Sequence, residues 1–180
     1  MHLKNLRLQH FRNHTDSKFE FSSTTNVFLG DNGHGKTNVI EAIAYLCLTK
    51  SFYANGDNLV LGFGYDLFEI DGTIISFKDQ VFNIRVAYSE NQKEKIFSIN
   101  KHRIEPLSSV IGKFPIVICS PEHAPITSEG PAERRRFVDF VISQSNNVYF
   151  QKLIDYRRVL KHRNISQAIP KVKQNSDSKF

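Results

Sequence analysis

The chain has 180 residues, 40% of them hydrophobic and 23% charged, with 9 Gly and 6 Pro; this fits one packed domain with room for a small appendage and excludes a disordered chain, a collagen-like repeat or a low-complexity spacer. Its net charge of +6 is unevenly placed, because residues 1–133 carry 13 basic and 15 acidic side chains whereas 134–163 carry 8 basic ones against Asp139 and Asp155. A near-neutral body with a basic C-terminal third suits a polyanionic partner.

The longest apolar run, Val39 to Leu48, is interrupted by Glu41 and is too short to span a membrane. Met1 to His10 contains no apolar core of an export signal, so the expected location is the cytoplasm, with no membrane partner. Cys47 and Cys119 lie in apolar stretches without metal-ligand spacing and are expected to be buried spare thiols.

In chain order, Leu3, Leu6, Leu8 and Phe11 mark a first strand, and Phe19-Glu20-Phe21 a second paired with it. Val27-Phe28-Leu29 reads as a short buried strand running into Gly30. Lys36 to about Leu48 has helical periodicity and is apolar almost all round, so it should be buried. Alternation over Leu67–Gly72, Phe82–Tyr88 and Ile96–Ile99 predicts antiparallel hairpins, and Leu107–Ile111 is a short connecting segment. Pro115–Cys119 reads as a second buried strand. Ser128 opens a helix with Pro131 at its first position and Glu133 in its first turn, with Phe137, Val138, Val141 and Ile142 as its apolar face. Asn146-Asn147 breaks it. Tyr149, Leu153, Tyr156 and Leu160 then form the internal seam of a second helix reaching about Ile169, and the polar stretch 171–180 is expected to be disordered.

Gly30-Asp31-Asn32-Gly33-His34-Gly35-Lys36-Thr37 fits the phosphate-loop pattern G-x-x-x-x-G-K-[ST] at every required position. Its glycines let the backbone curl so that successive N–H groups face phosphate oxygens. Lys36 brings a mobile charge to the β and γ phosphates, and Thr37 brings a hydroxyl to Mg²⁺. The helix that starts there adds its positive end to the same anion. The ligand this predicts is ATP or GTP with Mg²⁺. Two strands before the loop and hairpins after its helix suit an ABC-type head better than a small kinase or GTPase.

Three pieces together resemble the RecF family of DNA repair ATPases, relatives of SMC proteins. They are Leu3-Lys4-Asn5-Leu6-Arg7-Leu8-Gln9-His10-Phe11-Arg12-Asn13, the loop with its continuation to Ile43, and an Arg-rich third piece. That third piece comprises Ser120-Pro121-Glu122-His123, Gly130 to Asp139 with Arg134-Arg135-Arg136, and Tyr156 to Asn164. The resemblance implies a P-loop α/β fold: a partial ABC-type ATP-binding lobe over 1–130, a basic helical segment over 131–169 that starts a second lobe, and a tail over 170–180. It implies ATP held by Gly30 to Thr37 with Arg12 and Asn13 nearby, Mg²⁺ on Thr37, and binding to single-stranded or gapped DNA. Replication, recombinational repair and the SOS response follow as contexts, with RecO and RecR as partners and ATP-dependent self-association in the complete protein. The chain looks like the amino-terminal half of such a protein. Leu67–Asp71 and Ser128–Pro131 do not qualify as Walker B or ABC signature elements, so ATP binding with negligible hydrolysis is expected. Glu122 stands where ABC heads present a metal-facing Gln.

For DNA contact the sequence favours Arg157, Arg158 and Lys161, grouped on one side of the second helix. Arg134-Arg135-Arg136 reads equally as a solvated face or as ion-pair partners, and His34 as a filler of the loop. Two other readings stay open: a small phosphotransferase whose metal site is completed by Asp71, and an inactive fragment serving only as an interaction module.

Overall fold

The computed structural model describes residues 1–119 and 130–168, in two compact units divided between Cys119 and Ser120. Among the described residues, no helix is long and apolar enough to cross a membrane.

The first unit is built on a six-stranded sheet of β1 (His2–Phe11), β2 (His14–Glu20), β3 (Leu67–Ile75), β4 (Val81–Ser89), β5 (Glu94–Ile99) and β6 (His102–Arg103). The strand order is β2-β1-β3-β4-β5-β6, and every neighbouring pair is antiparallel. Period-2 alternation sends Leu6 and Leu8 of β1, Phe68, Ile70 and Ile74 of β3, Ile84 and Val86 of β4, and Phe97 of β5 into the core. Against that face lies α1 (Lys36–Leu48), which begins and ends at the residues its periodicity predicts. Tyr45 of α1, Phe11 and Phe68 form a triangle of edge-to-face rings with centroids 5.5–5.7 Å apart; such pairs are worth about 0.5–1.5 kcal/mol each beyond their buried area. The helix comes close to β3 because position 72 is glycine: a Cβ there would sit 2.3 Å from Leu46 Cδ1. The other face of the sheet carries ion pairs, Arg7–Asp16, Arg85–Glu69 and Arg103–Glu94, at 2.6–2.8 Å.

Three expectations need correction here. Neither Val27–Leu29 nor Pro115–Cys119 forms a strand. Only alternate residues of the two segments (Phe28, Ile116 and Ile118) pack on the core, while Val27, Leu29 and Val117 are 73%, 88% and 88% exposed. The apolar composition is there, but no described strand pairs with either segment. Cys119, at the end of the second segment, is exposed rather than buried. Cys47 is buried as expected, and burial pushes its thiol up to about 12.

The second unit contains α2 (Pro131–Ser145) and α3 (Asn147–Ala168). Pro131 and Glu133 occupy the first turn of α2 as expected, with Gly130 as the preceding cap residue. Asn146 serves both helices: its N–H donates to Ile142 O at 2.8 Å, closing α2, and its Oδ1 accepts the Tyr149 N–H at 3.0 Å, capping α3. The helices are tied by Asp139 of α2, which accepts from Tyr149 Oη at 2.6 Å and from Arg157 Nη2 at 3.3 Å. The predicted seam is only partly internal, since Tyr149, Leu153 and Leu160 are half-buried but Tyr156 is exposed. The expected apolar face of α2 is likewise largely open, with Phe137, Val138 and Val141 exposed. Ser120 to Glu129, with Glu122 and Ser128, and residues 169–180 lie outside the described residues.

Candidate phosphate-binding site

The loop Gly30–Lys36 ends as the first turn of α1, and its backbone follows its glycines. Gly30, Gly33 and Gly35 have φ of +142°, +86° and +86°, values that side-chain-bearing residues rarely adopt. Gly35 caps α1 without any side-chain hydrogen bond, and the first turn holds no acidic residue. The opening N–H groups of α1 are thus left to whatever sits in front of them, and the helix dipole makes an anion the favoured occupant. Lys36 Nζ donates to Gly30 O and Asp31 O, both at 2.7 Å, so the ammonium lies over the start of the loop. Thr37 is exposed at the first turn, and Asp31, Asn32 and His34 are exposed along the loop.

The β1–β2 hairpin supports the loop from below. Its two central residues are Arg12 and Asn13, between the paired Phe11 and His14. Asn13 Nδ2 donates to Gly33 O at 3.3 Å, its Oδ1 accepts from Asn38 Nδ2 at 2.8 Å, and His14 Nε2 lies 3.3 Å from Gly35 O. A Cβ on Gly35 would meet Asn13 Oδ1 at 2.4 Å and His14 Nε2 at 2.7 Å. Asn13 is therefore brought to the loop. Arg12 points elsewhere: Nε and Nη2 donate to the two carboxylate oxygens of Glu41 at 2.9 and 2.8 Å, and Nη1 donates to Leu59 O at 2.9 Å. Hydrogen bonding to Glu41 raises the guanidinium above its ordinary range, against the opposing effect of burial.

Glu41, Ser51, His14 and Asn38 did not emerge from the sequence as parts of this site. Glu41 left one signal, an acid inside an otherwise apolar helix, which demands a buried partner. Ser51 Oγ donates to the Glu41 carboxylate and accepts the N–H groups of Tyr53 and Ala54 at 2.9 and 2.7 Å. Behind it, Asp57 accepts from Tyr45 Oη at 3.0 Å and from Lys95 Nζ at 2.8 Å. Burial, then the Asp57 charge, pushes the Tyr45 phenol upward.

Asp71 does not belong to the site. On β3 it alternates with Gly72, which faces α1, so its side chain lies on the opposite face of the sheet. There it lines a groove of about 740 Å³ with Glu69, Thr73, Arg85, Ser98 and Arg103, and burial raises its carboxyl above the usual range. The reading in which Asp71 completes a metal site on the loop is overturned. On α3, Arg157, Arg158 and Lys161 are exposed, with Arg157 bound to Asp139 and Arg158 3.9 Å from Asp155. Arg136 pairs with Glu133 within its own helix, while Arg134 and Arg135 are exposed.

A glycine loop under an uncapped helix, carrying a lysine at its end, defines a P-loop ATPase head, and the chain belongs to the AAA domain family, whose model matches residues 5–179. Within that class its relatives are RecF proteins. It is 42% identical over 164 residues to the DNA replication and repair protein RecF of Salinibacter ruber, covering 91% of this chain and 40% of that protein. It is also 42% identical to RecF of Chloroherpeton thalassium, covering 91% and 44%. A solved structure of the recombination mediator RecF with ATP, in the RecFOR pathway, superposes with a TM-score of 0.85 at 30% identity, covering 98% of this chain and 47% of that one. The chain thus spans less than half the length of these relatives.

Proposed function

We propose that the protein is the ATP-binding part of a RecF-type DNA repair ATPase. The observation that carries this reading is the uncapped start of α1 behind three glycines of positive φ, with Lys36 beside it. The backbone of Gly30 to Thr37 holds the triphosphate, Lys36 neutralises its β and γ phosphates, and Asn13 with Arg12 supports the loop from the hairpin. Mg²⁺, when bound, would sit on the Thr37 hydroxyl and offset the charge of the phosphates.

Single-stranded or gapped DNA is the macromolecular ligand, met through the backbone phosphates by the basic α3. Lys161 is the strongest candidate there, followed by Arg158, because the Arg157 charge is shared with Asp139 at 3.3 Å and that of Arg158 more loosely with Asp155 at 3.9 Å. The work is done in the cytoplasm, in replication, recombinational repair and the SOS response. RecR and RecO are the partners, and ATP draws two complete copies together. The exposed Val27, Leu29 and Val117 favour a further segment, of the kind that makes the relatives twice as long, laid against these apolar side chains. The same segment would supply the carboxylates that hydrolysis needs, so this chain alone binds ATP without turning it over.

Calorimetric titration with ATP, with and without Mg²⁺, tests the reading, beside Lys36→Ala as a variant that removes the ammonium and its two bonds to the Gly30 and Asp31 carbonyls. Saturable binding lost in Lys36→Ala is the expected result. Absence of ATP binding would leave only an interaction module. DNA affinity should fall steeply between 50 and 200 mM salt whatever the sequence, and charge reversal at Arg158 and Lys161 should lower both affinity and salt slope. Affinity that holds steady across that range would refute the phosphate-contact reading.

A further inference from the structure

Glu41 stands on α1 five residues after Lys36 and is 1% exposed. Three donors converge on its carboxylate: Arg12 Nε, Arg12 Nη2 and Ser51 Oγ. We propose that Glu41 is a positioning residue of the nucleotide site, fixing the Arg12-Asn13 turn and, through that turn, the phosphate loop. The inference rests on the reading of Gly30–Thr37 as that site.

Stability alone is a poor reason for this pair. A buried ion pair has to offset the desolvation of both charges, and apolar replacements of similar volume commonly leave a protein as stable or more so. The position of Arg12 adds a second cost. It has φ of +55° where its neighbour Asn13 does not, the pattern of a two-residue turn that normally takes glycine first. An arginine in this left-handed conformation is strained and has to be held by its surroundings. Four bonds do so: two to Glu41, one from Nη1 to Leu59 O, and one from its own N–H to Val60 O at 2.8 Å. Strained residues fixed by many contacts gather at functional sites.

The next link is Asn13. With Arg12 fixed, Asn13 and His14 meet the loop carbonyls of Gly33 and Gly35. Across a planar trans peptide the C=O of Gly35 and the N–H of Lys36 point in opposite directions. That carbonyl accepts the Val39 N–H at 3.1 Å within α1 and faces His14 Nε2 at 3.3 Å, so helix and hairpin together aim the Lys36 amide outward, toward the space where a phosphate would lie. Glu41 acts at a distance of two residues and several hydrogen bonds, and needs no contact with nucleotide.

The test is an ATP titration of the protein, Glu41→Gln and the double variant Arg12→Met/Glu41→Leu, with thermal melts of each and Lys36→Ala as reference. Glu41→Gln should bind ATP at least tenfold more weakly. The double variant fills the buried space with apolar groups, so it should melt within a few degrees of the parent and still bind at least tenfold more weakly. Parental affinity in the double variant would make the pair merely structural and overturn the proposal, whether or not Glu41→Gln folds. A parent that binds no ATP, or binds it no better than Lys36→Ala, would instead overturn the reading of the loop, and the inference with it.

Discussion

Replacing Gly35 by alanine strikes the contact on which this account of the site depends, and Gly33→Ala supplies its control. Both glycines have φ of +86°, so alanine pays the same left-handed strain at either, about 1–2 kcal/mol. Their surroundings differ. A Cβ on Gly33 meets nothing within 4 Å, whereas one on Gly35 lies 2.4, 2.7 and 2.8 Å from Asn13 Oδ1, His14 Nε2 and Asn13 Nδ2. No buried Cβ tolerates such distances, so both side chains must move. Their movement puts at risk the bonds Asn13–Gly33, Asn38–Asn13 and His14–Gly35, each with a net worth of about 0.5–1.5 kcal/mol. Gly33→Ala should therefore cost about 1–2 kcal/mol in urea unfolding, and Gly35→Ala about 2 kcal/mol more. Asn13→Gly in the Gly35→Ala background removes the nearest obstacle and should restore part of that difference. Equal costs at the two glycines, or no rescue, would refute the claim that the hairpin turn buttresses the loop.

Two further predictions concern residues that the structure places differently from the sequence reading. Asp71 is raised above the ordinary carboxylate range by burial, so the folded protein holds that proton more firmly than the unfolded chain. Stability is then lost as pH rises from the unfolded value of about 4 through the folded one. Asp71→Asn should raise the melting temperature slightly at pH 7 and not at pH 3. ATP affinity should be unchanged, and a loss of it would return Asp71 to the site. Thiol labelling at pH 8 should modify Cys119 within minutes and leave Cys47, buried with a thiol near 12, untouched until denaturant is added; two fast thiols per chain would contradict the packing of α1.

How far the sequence could be read depended on where each residue finds its partner. The bounds of α1 were legible because the glycine loop, the lysine and the apolar periodicity are all local, and the hairpins β3–β4 and β4–β5 were legible from alternation and short turns. Val27–Leu29 and Pro115–Cys119 misled, because an apolar run reports the burial a sequence is suited to, whereas a strand exists only where another strand completes its ladder. At the site, Gly30 to Thr37 were visible as a contiguous motif. The Arg12–Glu41–Ser51 cluster was not, since its members are separated by 29 and 10 residues and only the fold joins them. Asp71 shows the converse: the alternation that disqualifies Leu67–Asp71 as a Walker B strand is local and legible, and it is the same parity of β3 that turns Asp71 to the far face.

The most direct test of the central claim is hydrogen–deuterium exchange of backbone amides with and without ATP and Mg²⁺. If the backbone of Gly30 to Thr37 holds the triphosphate, the amides of Gly33 to Thr37 should become protected on adding ATP, and those of Arg12 to His14 should follow as the turn tightens. Lys36→Ala should abolish both changes. Protection that appears elsewhere, for instance along the β3–β4 groove around Asp71 and Arg85, or no protection at saturating ATP, would contradict the assignment of this loop as the nucleotide site.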